Sequence, residues 1–248
     1  MDFRNFTDKK GIFVAKRILR EGIGVSNSTM RVLIFDTETT GLPKTRAKAI
    51  HGPNVWPHIV SISWLVLESD TNEILTQKSY IVKPNGWTIP ADSIAIHGIT
   101  NEIAEERGVP LSDAIGDFMA TPRDIVVAHN LDFDENVFVN AMTWDLGIQC
   151  FYGFDSPKYC SMVLSADICR LPSKFGRGYK PPKLSELYEH VFRQKPIAAQ
   201  LHGSMYDAKI LADILIACPV LRAKIGLRVA LTQNTNAGPK KTSNILYL

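Results

Sequence analysis

Nowhere do eighteen apolar residues run together, so the sequence has no stretch able to cross a bilayer as a helix. Cysteine is scarce. The four present (Cys150, Cys160, Cys169 and Cys218) are too few and too far apart for a disulfide scaffold or a paired-cysteine zinc ribbon. They read as reduced packing residues, and the expectation is an intracellular, cytoplasmic protein with no membrane partner. The amino end lacks an uninterrupted apolar segment of signal-peptide type, because Asp2, Arg4, Asp8, Lys9 and Lys10 come first. Those acids, with Glu21, also argue against a mitochondrial transit peptide. Apolar residues make up 45% of the 248 positions and charged ones 21%, which excludes wholesale disorder and suits one large α/β domain with appendages.

Acid is missing where base is abundant. Residues 1–31 hold seven Lys/Arg against three acids, and residues 219–248 hold five Lys/Arg and no Asp or Glu. The 187 residues between them carry sixteen Lys/Arg and twenty-two acids, a net of −6 inside a chain whose total is +3. Basic ends on an acidic middle exclude a uniform nucleic-acid-binding surface and fit a core that concentrates carboxylates.

The pattern divides the chain into a basic N-terminal extension (1–30), a central domain (31–220) and a basic, partly disordered C-terminal tail (221–248). Met30 directly precedes the first core strand and is a second candidate for the start of translation. Val32-Leu33-Ile34-Phe35 is the continuous apolar run of a doubly covered central strand. Residues 59–67 and 74–82 read as neighbouring strands joined by a turn at Ser69-Asp70-Thr71-Asn72, and 125–128 as a short buried strand. Helical spacing follows in 91–121, broken at Gly98, Gly108 and Pro110, then from Phe133 to Trp144, in 161–170 and 183–192, and at about 204–217. Residues 172–182 read as mobile. Strands first and helices later predict an α/β fold with a mixed sheet covered by helices.

Four carboxylates stand out. In a strand, Val32, Ile34, Asp36 and Glu38 share one face; its apolar members mark it as buried, and the acids sit at the carboxyl end, where open α/β sheets bind ligands. The alternative is a strand that ends in two solvated acids. Asp207 precedes Ile210, Leu211 and Ile214 at offsets that put it at the head of the helix's apolar stripe, where an unpaired charge is costly. Asp134 lies in the first turn of the helix after strand 125–128; the alternative there is a simple complement to the helix dipole. If the four converge, they repel one another until divalent cations bind. Oxygen ligands without Cys favour Mg²⁺ (or Mn²⁺), and two such ions offset most of the core's negative charge.

At these residues the sequence resembles the DEDDh, DnaQ-like (proofreading epsilon-subunit type) family of 3′–5′ exonucleases within the ribonuclease H-like superfamily. The first motif is Phe35-Asp36-Thr37-Glu38-Thr39-Thr40-Gly41-Leu42. The second is His129-Asn130-Leu131-Asp132-Phe133-Asp134, and the third is Leu201-His202-Gly203-Ser204-Met205-Tyr206-Asp207-Ala208. Ile96-His97-Gly98-Ile99-Thr100 is a further family-like element. The resemblance spans roughly residues 31–218. It implies a mixed five-stranded sheet flanked by helices, with Asp36, Glu38, Asp134 and Asp207 as ligands of two divalent cations and His202 as general base. The related tyrosine branch is disfavoured, because the position four before Asp207 is Gly203. By the same resemblance Thr39, Gly41 and Leu42 line the slot for the terminal nucleotide, and His97 approaches its sugar or base.

The leading function is therefore hydrolysis of DNA from its 3′ end, at single-stranded or frayed termini, releasing nucleoside 5′-monophosphates. The alternatives left open are a 3′–5′ exoribonuclease and a polymerase-associated accessory or scaffold subunit. The segment Phe175-Gly176-Arg177-Gly178-Tyr179-Lys180 mixes basic and aromatic groups of the kind that grip a single strand. The tail ending Ile245-Leu246-Tyr247-Leu248 is a candidate docking peptide for a polymerase or another replication or repair partner. His51, His58, His129 and His190 read as structural or surface residues.

Overall fold

The computed structural model describes residues 29–148, 154–174, 176–198 and 201–228. The expected N-terminal extension (apart from its last two residues), Phe175 and most of the expected tail lie outside them.

Five strands form one sheet: β1 (Arg31–Thr39), β2 (Ile59–Glu68), β3 (Ile74–Ile81), β4 (Ile125–Ala128) and β5 (Lys158–Cys160), in the order β3-β2-β1-β4-β5. β1 runs antiparallel to β2 and parallel to β4; β2 and β3 are antiparallel, and β4 and β5 parallel. The mixed sheet follows from the connections. The turn at Thr71-Asn72, with Asn72 at φ 61°, closes the β2–β3 hairpin, whereas the parallel partners are reached through helices.

The helices are α1 (Ala91–His97), α2 (Asn101–Arg107), α3 (Leu111–Ala120), α4 (Leu131–Asn140), α5 (Ser161–Leu164), α6 (Ala166–Cys169), α7 (Leu184–Phe192), α8 (Ser204–Ala217) and α9 (Pro219–Lys224). A π-turn over Ala141–Asp145 extends α4, with Leu146 N–H donating to Ala141. The breaks at Gly98, Gly108 and Pro110 separate α1, α2 and α3 as the sequence predicts.

β1 is buried on both faces. Leu33 and Phe35 face a core shared with α3 and α4, where the rings of Phe35, Phe118, Phe138 and Phe154 meet at 4.6–5.7 Å between centroids. Val32 and Ile34 face a second core shared with Leu65, Leu67 and the α8 side chains Ala208, Leu211, Ala212 and Leu215. That second face turns polar at the carboxyl end of β1.

Two local expectations need correction, and two further segments gain detail. β5 has no counterpart among the strands read from periodicity, because three residues of mixed polarity carry no period. The helix expected over 161–170 breaks at Ser165, whose hydroxyl donates back to the Ser161 carbonyl at 2.6 Å and diverts the backbone. Within 172–182, Pro172 bridges Tyr179, and Lys180 pairs with Glu186 at 2.7 Å. Around the expected boundary at 220, Pro219 opens α9, and Leu221, Ile225 and Leu227 are buried against the α8 side of the sheet. The 219–228 stretch is basic, but its apolar residues pack and Arg222 is 5% exposed, with its guanidinium bonded to Asn72 and the Ser69 carbonyl.

Candidate active site

Asp36 and Glu38 continue the Val32–Ile34 face of β1, and α8 lies across that face. The first turn of α8 brings Asp207 over the strand, so that ligand oxygens of Asp36, Glu38 and Asp207 all lie within 4.8 Å of one another. Asp134, in the first turn of α4, stands outside this tight group. It is 2% exposed, and its Oδ1 accepts a hydrogen bond of 2.8 Å from the Thr37 hydroxyl. Its charge nevertheless acts on both Asp36 and Glu38. Both helices are entered through a left-handed residue, Asn130 before α4 (φ 76°) and His202 before α8 (φ 65°). These turns redirect the chain sharply, so the carboxylate-bearing turns stand at the end of the sheet.

The electrostatics are those of buried carboxylates that repel one another. Burial, then Asp134, Asp207 and Glu38, hold Asp36 well above the ordinary carboxylate range. Glu38 is pushed up to about 8 by burial and then by Asp207 and Asp134. Burial raises Asp134 to about 7 against the opposing pull of the Thr37 hydroxyl. Asp207 rises to about 6, again by burial, while the charge and backbone N–H of His202 draw it down. The charges acting on Asp36 and Glu38 are those of other carboxylates. Asp207 Oδ1 is buried and has no hydrogen-bond partner, an arrangement that costs free energy unless something else satisfies it. Hard carboxylate oxygens at this spacing, with one left unsatisfied, fit a divalent cation.

His202 is exposed on the turn beside Asp207. Thr39 donates to the Gly41 carbonyl at 2.8 Å, closing a turn in which Gly41 takes φ 142°, a conformation side chains resist. Leu42, 82% exposed, projects beyond that turn. His97 is brought to the same strand end: Nδ1 accepts from Ile99 N–H at 3.1 Å, while Nε2 is buried without a hydrogen-bond partner near the Thr39 carbonyl. Burial lowers the His97 pKa. The expected site residues thus gather around the carboxyl end of β1, with Asp134 set back from the tight group.

His129 has a structural setting. Its Nε2 donates to the Pro182 carbonyl at 3.0 Å, and burial lowers it to about 4, which keeps it neutral. His58 stacks on Trp87, with ring centroids 5.2 Å apart, and bonds Asp145. A cleft of about 500 Å³ opens beside this pair, lined by Trp87, Trp144 and Asp145, but none of the site carboxylates lines it.

Sequence reasoning missed two supports. Thr37 lies between the two acids of the first motif and holds Asp134. Ser61 and Ser63, directly across from Glu38 and Asp36, bond the Ser204 hydroxyl at 3.0 and 2.8 Å. The available signal was the alternation of two serines within the otherwise apolar run of β2.

Residues 33–215 match the RNase T exonuclease family. The DNA polymerase III epsilon subunit of Salmonella typhimurium is 27% identical over 199 residues, covering 78% of this chain and 73% of the relative. That of Rickettsia prowazekii is 26% identical over 194 residues, covering 77% and 74%. Among solved structures, exonuclease X in complex with 5′-overhanging duplex DNA has a TM-score of 0.51 at 23% identity, covering 79% of this chain and 94% of that one. The zinc-bound form of the E. coli ExoI–single-stranded DNA complex has a TM-score of 0.54 at 17% identity, covering 80% of this chain and 42% of that one. The likeness in fold and the family match agree, and the chain belongs to the exonuclease family, as a nuclease hydrolase of the DnaQ-like DEDD type with a ribonuclease H-like fold.

Proposed function

We propose that the protein removes nucleotides from the 3′ end of DNA, using two divalent cations, Mg²⁺ (or Mn²⁺), held by Asp36, Glu38, Asp134 and Asp207. The observation that carries this reading is the close approach of Asp36, Glu38 and Asp207 around an unsatisfied buried oxygen of Asp207. DNA as substrate is supported by the relatives, which are DNA polymerase subunits, and by the DNA in the neighbouring structures.

Divalent cations bound there supply Lewis-acid stabilisation of the attacking and leaving oxygens of a phosphodiester. The protein's share is positioning and proton handling. Asp36, Glu38 and Asp207 supply ligand oxygens from one side, and Asp134, oriented by Thr37, supplies its own from α4. His202, exposed beside Asp207, accepts the proton of the attacking water, leaving a nucleoside 5′-monophosphate as product. Thr39, Gly41 and Leu42 form the slot for the terminal nucleotide, and His97, brought to the same strand end, approaches its sugar or base. All-oxygen ligands favour Mg²⁺ or Mn²⁺, although zinc is the ion bound in one neighbouring structure.

The test is a time course on matched DNA and RNA oligonucleotides labelled at either end, with Mg²⁺, Mn²⁺, Zn²⁺ or chelator. Stepwise shortening of 5′-labelled DNA, lost on chelation, is the expected result. Preferential shortening of RNA overturns the substrate, and products cut from the 5′ end overturn the polarity. A polymerase partner is consistent with relatives that are polymerase III epsilon subunits; the tail expected to dock it lies outside the described residues. Co-purification with and without residues 232–248 tests that role.

A further inference from the structure

Four serine hydroxyls form a chain beside the carboxylates of β1. Ser79 on β3 bonds Ser63 on β2 at 2.8 Å, Ser63 bonds Ser204 on α8 at 2.8 Å, and Ser204 bonds Ser61 on β2 at 3.0 Å. Ser61, Ser63 and Ser204 are each 5% exposed or less. Antiparallel pairing sets Ser63 opposite Asp36 and Ser61 opposite Glu38, so these side chains stand side by side on one face. Ser204 is fixed on the two β2 residues that adjoin two of the carboxylates. Asp207 follows Ser204 by three residues, on the neighbouring turn of the same helix.

The rest of α8 meets the sheet through Ala208, Leu211, Ala212 and Leu215, an apolar contact with no directional preference. Its N-terminal turn has Gly203 as cap residue and no side-chain cap. Hydrogen bonds do have direction, and Ser204 makes two of them at the end of the helix where Asp207 sits. Burying hydroxyls is costly unless they are bonded, a requirement alanine would not impose at these positions.

We propose that Ser204, with Ser61 and Ser63, is a positioning residue that sets the Asp207 carboxylate against Asp36 and Glu38 and thereby tunes the affinity of the site for divalent cations. The inference rests on the metal-site reading above. Groups that hydrogen-bond metal ligands directly change affinity by roughly 10- to 100-fold when removed, and Ser204, which acts through the helix backbone, belongs at the low end of that range.

The test uses full-length Ser204→Ala, Ser204→Thr and Ser61→Ala proteins, with Mn²⁺ binding followed by calorimetry and by the Mn²⁺-induced rise in Tm, without DNA. Ser204→Ala is expected to need roughly tenfold more Mn²⁺ for half-saturation, and Ser204→Thr, which keeps the hydroxyl, to recover most of the difference. Ser61→Ala shifts less, because Ser63 still holds Ser204. A Ser204→Ala protein with a lower metal-free Tm but wild-type Mn²⁺ affinity confines the hydroxyls to folding and overturns the proposal. If Ser204→Ala does not fold, unchanged Mn²⁺ affinity in both Ser61→Ala and Ser63→Ala overturns it equally. A wild-type protein that takes up no Mn²⁺ removes the metal reading and the proposal together, whereas equal uptake by wild type and Ser204→Ala removes the proposal alone.

Discussion

Thr37 donates its hydroxyl hydrogen to Asp134 Oδ1 across 2.8 Å, linking the strand that carries two site carboxylates to the helix that carries a third. Alternation along β1 sends Asp36 and Glu38 to the α8 face and Thr37 to the opposite one. Asp134 therefore reaches the site past the far face of the same strand, which accounts for its distance from the tight group of three.

Thr37→Val keeps the shape and removes the hydroxyl. Asp134 then loses a hydrogen bond that favours its ionised form, so its pKa rises further. The expected outcome is a loss of roughly tenfold in activity at neutral pH, partly recovered at higher Mg²⁺ or higher pH. Initial rates across a Mg²⁺ and pH grid check it.

Asp207→Asn and His202→Ala are expected to abolish or cripple turnover for different reasons, and metal binding separates them. Asp207→Asn loses both activity and the metal-induced rise in Tm, yet its metal-free form is at least as stable as wild type at pH 8, because burial already disfavours the ionised carboxylate. His202→Ala keeps the metal-induced rise and loses about 10²- to 10⁴-fold in kcat, the usual worth of a positioned proton acceptor. Paired melting curves and rates provide the readout.

The carboxylate cluster makes the metal-free protein sensitive to alkali. Ordinary carboxylates titrate near 4 in the unfolded chain, whereas Asp207, Asp134 and Glu38 are raised to about 6, about 7 and about 8 in the folded one. Between about pH 4 and about pH 8 the native state thus binds more protons than the unfolded state, so stability falls as pH rises through that window. Melting temperatures in chelator are expected to drop across it, and added Mg²⁺ to raise Tm most at its alkaline end. A Tm in chelator that climbs from pH 5 to pH 8 contradicts this.

Phe138 is fully buried against the rings of Phe35, Phe118 and Phe154. Phe138→Ala is expected to cost about 3–5 kcal/mol, read from urea unfolding, because the surrounding rings cannot close the cavity.

Much of this protein is written in short-range patterns. The apolar run of β1, the hairpin turn, the breaks at Gly98, Gly108 and Pro110 and the span of α8 are legible because strand and helix periods and turn residues act locally. The two acids on one face of β1 and the acid heading the α8 stripe follow from the same periods. Periodicity made Asp134 legible only as an acid in a helix's first turn, where a dipole complement serves equally well; the resemblance of its motif is what singled it out. Only the tertiary structure decided that Asp36, Glu38 and Asp207 come within 4.8 Å, that Asp134 stands back on Thr37, that a serine pair on β2 receives Ser204, and that Leu221, Ile225 and Leu227 pack. Each of these joins residues far apart in sequence, or depends on which surface a short basic stretch happens to meet. Strand register and helix docking set such contacts, and no periodicity within a single segment records them.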